Sequence, residues 1–358
     1  MKVGIAGAGV VGRLLAWRLS QDGHEVGVFD PADDAQPPAT GRITTPAAPH
    51  AAGFTAAGML SPLAELDQAE PEIARLGWRS LALWREIAGQ LAPHAATPLV
   101  RGDASLLVAH GSDLGAARRV LARLQTLPEI ASPQPLDRDA LRPLEPALAP
   151  QLHAWRLPGE GQLLPREMLV ALWAAAPTVR WRWGQRVERV EPGRLVLHDG
   201  TVHRCELAVD ARGLGAREAL PSLRGVRGEV VWLHAPGVPL ARPVRLLHPR
   251  HRVYLVPRPG DLIVVGASEV ESEDRSPVSL RSAVELLAAA HSVIPELAEA
   301  RIVHMEANLR PALPDHRPLV QHAPGLLRVN GLFRHGWLLA PALAQDALAA
   351  LTPETADV

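Results

Sequence analysis

The chain has 358 residues, 47% of them hydrophobic, which is enough for one large domain or two intertwined ones. A formal net charge of -1 offers no basic surface to nucleic acid or to an acidic membrane. The single cysteine, Cys205, excludes an internal disulfide and fits a reducing compartment. No apolar run reaches the ~20 residues that a bilayer-spanning helix needs, and the apolar N-terminus runs directly into a glycine pattern instead of a cleavage site. The expected location is the cytoplasm.

The N-terminal stretch "KVGIAGAGVVGRLLAWRLSQDGHEVGVFD" is the most informative. Val3 to Ala6 read as a buried strand, Arg13 to Gln21 as a helix, and "EVGVF" as a second strand closed by Asp30. Between strand and helix lies Gly7-Ala8-Gly9-Val10-Val11-Gly12. Gly7 permits the tight turn, Gly9 lets a pyrophosphate approach the backbone, and Gly12 lets helix and strand pack closely. The helix N-terminus offers free N–H groups and partial positive charge to phosphates. Asp30 can accept hydrogen bonds from a ribose. This is a dinucleotide fingerprint in its proper setting, although it does not separate FAD from NAD.

Asp34 to Pro49 is rich in Ala, Pro, Thr and Gly and reads as an extended loop. Glu70 to Leu91 reads as a long helix, Ser105–His110 as a strand, and Asp113 to Leu127 as a helix capped by Ser112. Proline-rich segments from Pro128 to Pro150 read as a connection. Pro165–Ala176 is a helix with proline at its start. Strands and tight turns follow, with Asp199-Gly200 as a hairpin signal. "GEVVWLH", "RVYLVPR" and "DLIVVGAS" read as antiparallel strands, and Ser282 to His291 as a helix. A strand, a glycine-flanked turn and a helix beginning after Gly336 end the chain. A βαβ start, a meander, and a second strand–turn–helix at the far end point to one nucleotide domain built from separated segments.

Several segments, in this order, resemble the D-amino-acid oxidase superfamily of flavoproteins, and within it the glycine oxidase (ThiO-type) group. They are the N-terminal fingerprint, "TAAGMLSPLAE" (Thr55–Glu65), "LEPAL", "GQLLPREML", "VDARGLGA", "RGVRGEVV", "VYLVPR", "GAS", "NLRPALPDHRPLV" and "GLFRHGWLLAPALAQ". The resemblance implies an α/β (mixed α+β) fold. A Rossmann-like FAD-binding domain would comprise residues 1–80, 150–220 and 305–358. An antiparallel or mixed-sheet substrate-binding domain would comprise 81–149 and 221–304. It implies FAD held non-covalently, a small amino-acid or amine substrate oxidised to an imine, and oxygen as acceptor. The imine would give a keto acid and ammonia, or feed the thiazole ring of thiamine. It is also compatible with a homo-oligomer.

The resemblance also assigns site residues. Arg310 in "NLRP" matches the substrate-carboxylate anchor, a task suited to the bidentate fork of arginine. Tyr254, the only tyrosine, matches a hydroxyl on the same carboxylate. Arg334 is a second cation, read either at the flavin edge or as a helix-start ion pair. Thr55, Ala56, Ala57, Gly58 and Met59 match the segment beside the isoalloxazine, Val187 an amide at the adenine, and Ala211 and Gly213 the turn under the pyrophosphate. Arg334, His335, Gly336, Trp337 and Leu338 lead into the last helix, whose N–H groups would stabilise a reduced, anionic flavin. "HAAG" after Pro49 also looks like a histidyl-flavin attachment, but in the register set by Met59 that position is Thr55, not His50. The chain departs from the group at Glu269 and Arg252, which stand near its Met and His, and in its longer 34–49 loop.

No metal site is expected. His248 and His251 have His-x-x-His spacing without further ligands, Cys205 reads as a small core residue, and Trp173, Trp181 and Trp183 as packing. Two other functional classes remain: a dehydrogenase passing electrons to a carrier, and a FAD-binding accessory protein.

Overall fold

The computed structural model describes residues 1–40, 50–67, 69–125, 127, 132–248 and 253–351. His251, Arg252 and positions 41–49 of the long loop lie outside the described residues.

Two large sheets organise the chain. The first has six strands in the order Leu319–Ala323, Leu326–Asn330, Leu207–Asp210, Lys2–Ala6, Glu25–Phe29, Arg180–Arg182. All neighbours are parallel except the first pair. Period-2 alternation divides its side chains between two cores. Ile5, Val28, Val209 and Leu327 meet the helices Val10–Gln21, Pro165–Ala174 and Gly336–Ala349 on one face. Ala6, Phe29, Ala208 and Leu326 meet the antiparallel ribbon of Val187–Glu191, Arg194–Leu197 and Val202–Arg204 on the other. Cover on both faces explains why three interior strands, Lys2–Ala6, Leu207–Asp210 and Leu326–Asn330, carry no exposed side chains, whereas the edges do, at Arg180, Arg182, Gln321 and His322.

The second sheet has eight strands in the order Arg301–Ala312, Arg224–His234, Leu262–Gly266, Val253–Arg258, Val244–Leu246, Ala104–Ala109, His153–Pro158, Gln134–Leu136. The helix Leu280–Val293 packs on one face through Leu286, Ala290 and Val293 against Val231, Val265 and Leu255. Alternate residues, Val230, Val264, Val256 and Tyr254, face the other way, toward Ala57 and Met59. The long strand Arg301–Ala312 runs from the edge of this sheet back toward the first, bringing residues 306–310 to the junction.

Most expected elements appear within a few residues of their predicted bounds, with three corrections. The Pro128–Pro150 connection holds a strand, Gln134–Leu136, and a helix, Arg138–Leu144, whose Asp137 side chain accepts from Ala140 N–H; its prolines masked the periodicity. Ser112 is not a cap: it lies in a 3₁₀ turn, Gly111–Asp113, that precedes the helix Leu114–Leu124, and no side chain caps that helix. The first helix starts at Val10, inside the glycine motif, not at Arg13. Pro71–Leu91 runs unbroken across residue 80, and His153–Pro158 pairs with Ala104–Ala109 and Gln134–Leu136 in the eight-stranded sheet, although the expected cofactor domain begins again at residue 150.

Candidate functional site

A cavity of ≈ 1460 Å³ runs between the two sheets. At one end it meets the glycine motif. Gly7 has φ +97, and a methyl there would lie 2.5 Å from the Ala211 carbonyl oxygen, so the turn requires glycine. A methyl on Gly12 would overlap the Gly7 carbonyl. Gly9 differs: the nearest atom to an added methyl is Ala51 Cβ at 3.7 Å, so its backbone opens onto the cavity. Val10, Val11, Ala211 and Gly213 line the same end. Ala8 and Gly12 do not; the Ala8 N–H donates to Asp30 Oδ2 at 2.6 Å. Asp30 also accepts from Ala32 N–H at 2.9 Å and remains on the cavity wall. The open cradle at Gly9, with an acid at the end of the next strand, fits a dinucleotide.

Val187 lies on the wall, and its carbonyl accepts from Arg212 at 3.1 Å. Arg212 is anchored in turn by Asp210 and Glu218, at 2.8 and 2.6 Å. Sequence reasoning passed over this arginine, which ties the ribbon to the turn after the Leu207–Asp210 strand.

The middle of the cavity is lined by Thr55 to Met59 and by Gly336, Trp337 and Leu338. Ala52–Thr55 forms one helical turn, and Met59–Leu60 a short strand paired with Gly161–Leu163. Gly58 has φ +65 and backs onto the Leu163 carbonyl, where a methyl would come within 2.6 Å. The terminal helix points its first turn at the cavity, and the N–H groups of a first turn have no intrahelical partner. Trp337 donates to the Gly53 carbonyl at 3.0 Å, locking the "HAAG" segment onto that helix. His50 lines the cavity with Thr55, 3.2 Å away. Both also bond Glu306, His50 at 2.6 Å. Asn308 donates to the Thr55 hydroxyl at 2.9 Å. Burial pushes the Glu306 carboxyl up, but hydrogen bonds from His304, His50 and Thr55 outweigh it and hold it well below the usual carboxylate range.

The other end brings Arg310 and Tyr254 together on the inner face of the eight-stranded sheet. Asn308 lies opposite Gly228, and both Tyr254 and Val230 lie opposite Gly266. Gly228 and Gly266 form a floor: a methyl on Gly266 would sit 2.6 Å from Tyr254 Oη, and one on Gly228 would overlap the Arg310 guanidinium. Glycine inside a strand marks such close approach, a signal present in "RGEVV" and "VVGAS". Burial lowers the pKa of Arg310, but an arginine remains cationic. It donates to the carbonyls of Ser268 and Arg227 at 3.0 and 3.4 Å, and no carboxylate among the described residues is within ion-pair distance. Burial raises the pKa of Tyr254, keeping its hydroxyl protonated.

Buried Glu229 braces the surroundings of Arg310. It accepts from Arg227 at 2.7 Å, from Ser268 Oγ at 2.8 Å and from Ser279 N–H at 2.9 Å. It thereby holds both residues whose carbonyls aim Arg310. Arg334 lines the same end but is paired: Glu65 accepts from it at 2.9 Å and from Arg245 at 2.8 Å. Burial pushes Glu65 up, but Arg334, Arg245 and His335 together hold it well below the usual carboxylate range.

The tempting residues outside this cavity have structural surroundings. Trp181 and Trp183 stack 5.6 Å apart, and Arg13 lies over the Trp183 ring. Cys205 packs beside Gly4, and burial raises its thiol pKa.

Comparison with known proteins agrees with this architecture. The family of FAD-dependent oxidoreductases termed DAO matches residues 2–351. A Rhizobium etli protein named as a thiamine biosynthesis oxidoreductase, ThiO, is 38% identical over 99% of this chain and 97% of its own. A glycine oxidase of Geobacillus kaustophilus is 26% identical over 95% of this chain and 89% of its own. The crystal structure of glycine oxidase from Geobacillus kaustophilus superposes with a TM-score of 0.81 at 24% identity, covering 98% of this chain and 93% of that one. The chain is thus an FAD-dependent oxidoreductase and belongs to the DAO family.

Proposed function

We propose that this protein oxidises a small amino acid or amine at Cα, using non-covalently held FAD and oxygen. For an amino acid the balance is substrate, oxygen and water giving keto acid, ammonia and hydrogen peroxide. The observation that carries this reading is the Arg310–Tyr254 pair facing the cavity that also holds the glycine fingerprint.

Gly7, Gly9 and the N-terminus of the Val10–Gln21 helix would receive the pyrophosphate, Asp30 the ribose, and Val187, Ala211 and Gly213 the neighbouring walls. Thr55 to Met59 and Arg334 to Leu338 would border the flavin ring. Bound FAD supplies the hydride acceptor, the one element of the chemistry that no side chain provides. Arg310 binds the substrate carboxylate through two parallel N–H bonds, and Tyr254 donates its hydroxyl proton to the same group. With the carboxylate fixed, Cα has few orientations left, and positioning of this kind lowers the barrier without a proton-transfer residue. An amine bound neutral needs no general base. The first turn of the Gly336–Ala349 helix offers N–H groups to negative charge developing at the site.

We propose that residues 1–80, 150–220 and 305–358 form the cofactor unit and 81–149 and 221–304 the substrate unit. Every strand of the six-stranded sheet comes from the first set, which supports the division; the eight-stranded sheet comes from the second set except for His153–Pro158 and residues 305–312 of Arg301–Ala312. The similarity to ThiO over the full chain supports a place in making the thiazole of thiamine.

The test is anaerobic bleaching of the flavin at about 450 nm by glycine, sarcosine and D- and L-amino acids, followed by peroxide detection on admitting air. A yellow protein bleached by none of them would refute the amino-acid reading. Bleaching without peroxide would replace oxygen by another acceptor.

A further inference from the structure

Among the charged side chains that line the cavity, Arg245, Arg310, Arg334, Glu65 and Glu269 form one electrostatically linked group. Glu65 is buried, and its two oxygens are taken by Arg245 and Arg334. Glu269 is placed differently. Its side chain is 42% exposed and lines the cavity, with its carboxylate 3.5 Å from Arg334 Nη1. It also acts electrostatically on Arg310. Arg245 and Arg334 are therefore already matched by carboxylates, while Arg310 donates only to backbone carbonyls. Within this group Arg310 is the one arginine without a carboxylate partner among the described residues, and a single ligand carboxylate would satisfy it.

A second carboxylate on the substrate would meet Glu269 in the same space. The cation nearest to it, Arg334, is already shared between Glu65 and Glu269. Like charges in a cavity that excludes part of the water repel, and placing one there is a way to reject a ligand. A neutral side chain avoids the clash, and a cationic one is attracted.

We propose that Glu269 is a specificity-determining residue that restricts the site to monocarboxylic amines and favours neutral or cationic side chains over acidic ones. The inference rests on the reading of Arg310 as the carboxylate anchor.

The experiment uses the FAD-loaded protein and two probes of binding, acetate and malonate, titrated by calorimetry. Kinetics with sarcosine and iminodiacetate accompany it. Wild type should bind acetate more tightly than malonate. Glu269→Gln should improve malonate at least tenfold relative to acetate, and iminodiacetate at least tenfold relative to sarcosine in kcat/KM. Oxidation of D-lysine relative to D-alanine should fall in the same variant. Glu269 is exposed, so the substitution leaves the core intact. Glu271→Gln, on the cavity rim and ion-paired with Arg224, is the control for general charge and should leave the ratios unchanged. Ratios unmoved within twofold in Glu269→Gln, or moved equally by Glu271→Gln, overturn the proposal. Arg310→Ala separates the two readings. If acetate binding depends on Arg310 but the ratios do not depend on Glu269, only this inference fails. If acetate binding is indifferent to Arg310, the anchor reading fails and this proposal falls with it.

Discussion

Gly228 lies directly beneath Arg310: a methyl group at Gly228 would occupy the space of the guanidinium carbon and both terminal nitrogens. The two residues sit on adjacent strands, with Gly228 opposite Asn308, two positions before Arg310. The obstructed atoms are the far end of a flexible side chain, so Gly228→Ala should displace Arg310 and leave the fold standing. The expected result is a rise in KM for the amino acid of at least tenfold, with melting temperature within a few degrees of wild type. A tenfold change corresponds to about 1.4 kcal/mol. An unchanged KM would mean that the guanidinium is not needed where the structure holds it.

The glycines of the N-terminal motif should separate binding from folding. A methyl on Gly9 meets only Ala51 Cβ at 3.7 Å, whereas one on Gly12 overlaps the backbone carbonyl of Gly7. Gly9→Ala is expected to give an apoprotein that melts normally but retains little flavin. Gly12→Ala is expected to weaken the fold itself, by about 1–3 kcal/mol as for other overpacked sites. Flavin content per chain and apoprotein melting curves read the two effects separately.

Buried Glu160 supplies a pH dependence. Its carboxylate oxygens accept from Leu63 N–H at 2.8 Å and from Ser105 Oγ at 2.5 Å, beneath the short helix that carries Glu65. Burial raises its pKa from 4.5 to about 7. The folded state therefore holds this proton more tightly than the unfolded chain. Its contribution to stability is fully present below the unfolded value of 4.5 and is lost as pH climbs through about 7. Glu160→Gln is neutral throughout and escapes that loss. Between pH 5 and pH 8 the melting temperature of the variant should therefore rise relative to wild type. A difference independent of pH would show that the carboxyl is not raised.

Flavin attachment offers a simple chemical check. Thr55, not a histidine, stands at the position aligned with histidyl attachment, while His50 is held by Glu306 and lies 3.2 Å from Thr55. Acid precipitation should release all the flavin into the supernatant. Yellow colour remaining with the denatured chain would show covalent attachment, and its loss in His50→Ala would assign it to His50.

The parts of this protein legible in its sequence are those set by neighbours in the chain. The glycine fingerprint, the alternation of the strands around Tyr254 and the proline-started helices follow from backbone sterics and from the periods of helix and strand. These local signals also carried the family resemblance. They failed where local cues conflict, as between Pro128 and Pro150, where prolines hid a strand and a helix, and at Ser112, where a 3₁₀ turn displaced the expected cap.

Pairings between distant segments were decided only by the tertiary structure. His50 meets Glu306 across 256 positions, and Glu65 meets Arg334 across 269. Gly228 and Gly266 become the floor of the site only once two strands place them under Arg310 and Tyr254. The two arginines singled out in the sequence thus acquired different fates. Arg334 was matched by Glu65, and Arg310 was left to face the cavity among backbone carbonyls. A charge's availability depends on what lies within a few ångströms of it, and that distance is set by packing, not by position along the chain.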